Sequence, residues 1–142
     1  MTYVLTVITG PPASGKTTYV RDHAQPGDIV IDLDALAVAL GSPDGHNHPR
    51  AIAAVAQAAR TAAIEAAAST RTPTWLIHTA PTPQQLGTYR AQGARIITVD
   101  PGEAATRDRI TNERTPQAQQ VADHWYTAGI QAGHAEVQRR FG

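Results

Sequence analysis

Apolar positions along the chain follow two rhythms that alternate. Tyr3 to Thr9 (YVLTVIT) is a continuous β-branched and apolar run halted by a glycine, the pattern of a buried parallel strand. Ile29–Ile31, Thr74–Ile77 (TWLI) and Arg95–Val99 (RIITV) repeat that signal in shorter form. Between them the spacing turns helical. A short helix is predicted from Gly15 to about His23, closed by the turn Gln25-Pro26-Gly27-Asp28, and another from Ala35 to Leu40. Arg50 to about Ser69 is the clearest helix: Ile52, Val55, Ala59, Ala63 and Ala66 form its apolar stripe, with Gln57, Arg60, Thr61 and Glu65 on the other faces. Its many alanines give high helix propensity and a slim face that fits closely against a sheet. Gly41–Pro49 (GSPDGHNHP) is dense in turn formers and reads as an exposed loop.

Three further helices announce their starts. Thr82-Pro83, Asp100-Pro101 and Thr115-Pro116 each set a capping side chain before a proline at the first helical position. Thr82 with Gln85, and Asp100 with Glu103, fit the capping box. The last helix is predicted over Pro116–Phe141, striped by Val121, Trp125, Ala128, Ala132 and Ala135. Gly129 and Gly133 weaken it by about 1 kcal/mol each, so a bend or break is expected there. Trp75 and Trp125 read as core.

Strands alternating with helices imply a parallel sheet covered on both faces, an α/β fold. No repeat or linker interrupts the pattern, so residues 1–142 are expected to form one domain. Ligands of such sheets bind beyond the carboxyl ends of the strands. Those ends carry Gly10–Thr17, Asp32 with Asp34, His78 with Thr79, and Asp100.

Composition narrows the chemistry. Twelve basic residues balance twelve acidic ones, which argues against a broad basic surface for DNA or anionic membranes. The absence of cysteine excludes disulfides, iron–sulfur clusters, thiolate zinc sites and cysteine nucleophiles. No apolar run approaches the roughly 18 residues of a spanning helix, and the apolar start lacks a basic leader and a cleavage site, so a cytoplasmic protein is expected. Lys16 is the only lysine in the chain.

That lysine lies in Gly10-Pro11-Pro12-Ala13-Ser14-Gly15-Lys16-Thr17, a full match to G-x-x-x-x-G-K-[ST], followed by Thr18. The spacing curls the backbone so that successive N–H groups form an anion nest at a helix N-terminus. Lys16 then reaches the β- and γ-phosphates, and the Thr17 hydroxyl can bind magnesium. The motif follows a strand and precedes a helix, as its mechanism requires. The expected fold is a three-layer P-loop NTPase fold with a short, mostly parallel sheet of about four strands, binding ATP with magnesium. The third strand ends WLIHTAP, with a histidine where a motor ATPase would carry an acid, so a small phosphotransferase fits best.

On the acceptor side, Asp32 and Asp34 leave the second strand as I-D-L-D, two apart and so on one face. One can accept the proton of an attacking hydroxyl, and the other, Asp32, can hold magnesium. Asp34 serves equally as a helix N-cap. In DPGEAATRDRITNERTP, Arg107 and Arg114 share a helix face with Ile110 and are the expected lid arginines that stabilise phosphoryl charge, while Arg109 points away to solvent. His78 and Thr79 are candidates for an acceptor pocket. His46 and His48 can be metal ligands, acceptor contacts or plain loop residues.

The series GPPASGKTT, PGDIVIDLDAL, a strand ending before HTAP, DPG and the arginine-bearing ERTP resembles the kinase domain of bacteriophage polynucleotide kinases and the wider group of zeta-toxin-like and phage-encoded P-loop kinases. The likeness spans roughly residues 3 to 116. It implies that Asp34, counted from Gly27, is the general base. The family's arginine three residues later, which contacts the acceptor phosphate, is Ala37 here, so the resemblance does not extend to that contact. Arg50 is the candidate replacement. The implied activity is ATP- and magnesium-dependent transfer of the γ-phosphate to a hydroxyl of a nucleotide, a nucleic-acid end or a modified nucleobase in DNA. A small-metabolite or nucleoside kinase, and an ATP-binding module with weak ATPase activity acting through a partner, remain open. DNA or RNA are possible partners; a membrane is not expected.

Overall fold

In the computed structural model, residues 4–113, 116–127 and 136–138 are described. The elements run β1 (Leu5–Thr9), α1 (Lys16–His23), β2 (Ile29–Asp32), α2 (Leu33–Ala39), α3 (Arg50–Thr70), β3 (Thr74–Ile77), α4 (Pro83–Ala91), β4 (Arg95–Val99), α5 (Glu103–Glu113), α6 (Pro116–Thr127) and β5 (Glu136–Gln138). The strands form one sheet in the order β2-β3-β1-β4-β5, and every pairing is parallel. Among the described residues no helix is long and apolar enough to cross a membrane.

The central strand explains why the run from Leu5 to Thr9 has no polar face. Val7 is flanked by Leu76 of β3 and Ile96 of β4. Successive side chains alternate between two cores. Leu5, Val7, Ile31, Leu76 and Ile96 meet Ala67 of α3 with Leu86 and Tyr89 of α4 on one face. Ile8, Ile77, Ile97 and Val99 meet Tyr19 and Val20 of α1 on the other. Each fully buried aliphatic side chain contributes about 1.5–3 kcal/mol relative to exposure. The two faces together fix the register that brings every strand's carboxyl end to one edge.

Several expectations need correction. The buried stripe of α3 is Ala56, Ala63, Ile64 and Ala67, whereas Val55 is 54% exposed. With alanine on nearly every face, the apolar pattern does not fix which face turns inward; the sheet decides. The capping box of α4 forms as expected, with Thr82 and Gln85 bonded reciprocally. That of α5 does not: Asp100 accepts from the Gly102 N–H at 2.8 Å instead, and the helix starts at Glu103. Asp32, rather than Asp34, caps α2 by accepting the Asp34 N–H at 3.2 Å. The last helix is described over Pro116–Thr127, and Glu136–Gln138, expected as its continuation, pairs with β4 as a fifth strand. The open edge of β4 offers main-chain partners over a segment whose helical period predicted otherwise. Tyr3, Thr115, Gly129 and Gly133 lie outside the described residues.

Gly10 ends β1 at φ +149°, where an added Cβ would sit 2.2 Å from the Val99 carbonyl oxygen. Gly10→Ala should therefore lower stability by about 2 kcal/mol or more in urea denaturation. Gly87→Ala, in α4 with nothing within 4 Å of the new atom, should raise it by about 0.5–1 kcal/mol. Equal effects at the two positions would contradict this packing.

Candidate active site

The loop between β1 and α1 is built by backbone geometry. Ala13 at φ 59° and Gly15 at φ 102° turn the chain left-handed twice, and Ser14 N–H closes on the Pro11 carbonyl at 3.3 Å. The result is a concave run of amides opening onto the start of α1, the arrangement that binds anions. The buried Lys16 ammonium donates to the carbonyls of Gly10 at 3.0 Å and Pro11 at 2.7 Å. Ser14 Oγ is fully buried with no hydrogen-bond partner. A buried polar atom orphaned within this loop fits a site for phosphate. Pro12 to Thr18 border a cleft of about 1200 Å³ at the sheet edge. That volume exceeds what a single drug-sized ligand usually fills, about 300–1000 Å³, and leaves room for two.

Asp32 and Asp34 both line that cleft, as their spacing predicts. Burial, and secondarily the neighbouring Asp34 charge, push the Asp32 carboxyl above its ordinary value. Thr17 is exposed on the same cleft. An all-oxygen set of hydroxyl and carboxylate fits a hard divalent ion that keeps most of its shell as water and phosphate oxygen. His46 and His48 both turn to Asp34: His48 Nε2 lies 2.7 Å from Oδ1 and His46 Nδ1 3.3 Å from Oδ2.

His78 and Thr79 also line the cleft. His78 Nδ1 meets the Tyr89 hydroxyl at 2.9 Å, and burial, with a smaller effect of Arg60, pulls the imidazole down to about 4. The ring is therefore neutral at physiological pH. The Thr79 carbonyl accepts from Trp125 Nε1 at 2.9 Å, tying α6 to the end of β3.

The arginines depart most from expectation. Arg50 is exposed and stands outside the cleft. Arg60, ten positions on, lines it instead, because the shifted stripe of α3 turns Arg60 inward with Ala56, Ala63 and Ala67. Sequence reasoning missed it; its three- and four-residue spacing from those alanines was the available signal. Arg107 is held by Glu103 at 3.0 Å and by Asp123 of α6 at 2.6 Å, and does not line the cleft. Arg109 does, donating Nη1–H to the Ala13 carbonyl at 2.9 Å. The two lie on opposite sides of α5, and α6 packs on the side of Arg107. Arg114 lies outside the described residues.

The sequence matches the AAA domain family over residues 5–128. The chain belongs to that family. No curated protein sequence matches it significantly. Among solved structures it is similar to a chain of the Pnkp1/Rnl/Hen1 RNA repair complex, at 13% identity and a TM-score of 0.70 over 93% of this chain and 45% of that one. It is similar to a tunicamycin resistance protein of Deinococcus radiodurans, at 15% identity and a TM-score of 0.55 over 96% of this chain and 86% of the other. It is also similar to TT1252 from Thermus thermophilus, at 18% identity and a TM-score of 0.56 over 100% and 91% of the two chains. The shared feature is the P-loop α/β fold. The AAA-domain chain spans less than half of the RNA-repair chain.

The neutral His78 gives this family member a pH signature. Its imidazole titrates near 6.5 when unfolded but near 4 when folded, so unfolding takes up a proton between those values. Stability is full above the upper value and falls as pH drops through the window. Urea denaturation at about pH 5 should show a loss of about 1–2 kcal/mol relative to about pH 7 that His78→Asn removes. An equal slope in the variant would contradict the assignment.

Proposed function

We propose that the protein is a P-loop phosphotransferase that moves the γ-phosphate of ATP to a hydroxyl of a nucleotide, a nucleic-acid end or a modified nucleobase in DNA. One observation carries the reading: Asp34 lines the same cleft as the phosphate loop, which supports its use as a base beside a bound phosphate. Room for two substrates supports it. Within the cleft the loop amides and Lys16 hold the β- and γ-phosphates, Lys16 exchanging its two carbonyl partners for phosphate oxygens. Asp34 takes the proton of the acceptor hydroxyl as the new O–P bond forms. The bond to the β-phosphate breaks in line with it, and ADP leaves. Arg109, already on the loop, takes the place expected for Arg107 and faces the charge on the transferring group. Thr17 and Asp32 would hold magnesium, which would supply positive charge to the phosphates.

Arg60 and the neutral His78 both line the cleft, which supports giving them to the acceptor. Arg60 supplies there the positive charge that Ala37 lacks, which favours an acceptor bearing an anionic group. The likeness to a chain of an RNA repair complex is consistent with a nucleic-acid end. A second reading, a small-metabolite kinase, draws on the likeness to a tunicamycin resistance protein, of which this chain spans 86%.

The test is incubation with γ-labelled ATP, magnesium and a pooled acceptor set: DNA and RNA with 5′-hydroxyls, hydroxymethyl-pyrimidine DNA, nucleosides, nucleoside monophosphates and small alcohols. Label is expected on a nucleotide or nucleic-acid acceptor. Lys16→Ala should lose both ATP binding and transfer; Asp34→Asn should keep ATP binding and lose at least about 100-fold in transfer. Label only on a small alcohol selects the second reading. Free phosphate alone, unchanged in Asp34→Asn, would remove the kinase assignment.

A further inference from the structure

The loop from Gly41 to Pro49 has no regular secondary structure, yet it is locked in place. Ser42 N–H donates to the Ala37 carbonyl at 3.0 Å, Ser42 Oγ donates to the Asp44 carbonyl at 3.0 Å, and Asp44 Oδ1 accepts from the amides of His46 at 2.7 Å and Asn47 at 3.1 Å. The lock delivers one side chain to one atom. His48, only 8% exposed in its side chain, sets Nε2 2.7 Å from Asp34 Oδ1 and Nδ1 2.7 Å from Ser42 Oγ.

Asp34, as the carboxylate a base must be, only accepts, so His48 Nε2–H donates to Oδ1, while Ser42 Oγ holds the ring at Nδ1 on its other side. Nε2 is then committed to Asp34 Oδ1, and the ring cannot turn without losing both bonds. The other oxygen is treated differently. Asp34 Oδ2 meets only the exposed His46 in this loop, at a longer 3.3 Å. His46 borders the cleft, and His48 does not.

We propose that His48, oriented by Ser42, is a positioning residue that clamps Asp34 through Oδ1 and leaves Oδ2 as the oxygen that meets the acceptor hydroxyl, His46 giving way as the acceptor enters. The proposal rests on the kinase reading above. It assigns the histidine loop a task that neither a metal site nor a plain surface turn would give it, and it divides the H-x-H pair into a fixed member and a displaceable one. A ligand-orienting bond of this kind is worth about 10–100-fold elsewhere.

The experiment compares wild type, His48→Ala, His48→Gln and Ser42→Ala in label transfer to the best acceptor, with ATP affinity and urea denaturation measured alongside. His48→Ala should lower kcat by about 10–100-fold with ATP affinity unchanged. His48→Gln, which keeps a donor toward Asp34, should recover most of it, and Ser42→Ala should fall between. Unchanged kcat in His48→Ala overturns the proposal, as does a His48→Gln variant that folds but is no better than His48→Ala. Absence of transfer in wild type would instead strike the kinase reading. The clamp is then read by ¹⁵N spectra of the histidine rings: Asp34→Ala should move His48 Nε2 far more than Nδ1, and an unmoved Nε2 overturns the bond itself.

Discussion

Gly10 packs against the Val99 carbonyl with no space for a Cβ, and much of the site depends on that contact. The chain must leave the most buried strand of the sheet, turn sharply and enter α1 within a few residues. Only a residue without a side chain lets the β1 exit press against the neighbouring β4 exit. From there the left-handed turns at Ala13 and Gly15 follow, and Lys16 is left facing back across the loop to the carbonyls of Gly10 and Pro11. A parallel sheet then does the rest. With every pairing parallel, Asp32, His78 and Asp100 arrive at the same edge as the loop without any further device.

Charge is distributed unevenly around the cleft. The phosphate side carries fixed donors: loop amides, Lys16 and Arg109. The remaining lining carries two carboxylates close together, a histidine held neutral by burial, and Arg60. The burial that pushes the Asp32 carboxyl up is an electrostatic cost that a nearby cation relieves, which is why the all-oxygen pair with Thr17 suits a divalent ion. Arg107 takes no part in this. It binds α5 to α6 through Asp123, while the Asp100 carboxylate and the Tyr126 hydroxyl bring the end of β4 against the same helix at 2.9 Å. These contacts set the angle at which α5 presents Arg109 to the loop.

The motif-bearing parts of the molecule were legible in the sequence because their signals are local. A glycine-rich spacing, a β-branched run and a Thr-Pro-Gln-Gln capping sequence each encode their own geometry, and β1, α1, α4 and the gathering of Asp32, Asp34, His78 and Thr79 at one edge followed from them. The rest depended on contacts distant in sequence. Nothing within an alanine-rich helix says which face meets the sheet, so Arg60 was read as an outer residue. On α5, Ile110 does turn inward, but α6 claims the Arg107 side, leaving Arg109 for the loop. The fifth strand exists because β4 has an edge to pair with, which no helical period reveals. The clamp on Asp34 joins residues fourteen positions apart through a loop whose composition signalled only turns.

Because Lys16 is the only lysine, ¹⁵Nζ-lysine labelling gives a single side-chain signal at the centre of the account. Titration with ATP and magnesium should shift that signal saturably as the ammonium leaves the carbonyls of Gly10 and Pro11 for phosphate oxygens. Inorganic phosphate should reproduce the direction of the shift more weakly. A signal that stays fixed through saturating ATP would contradict the phosphate site, and with it the assignment of the cleft.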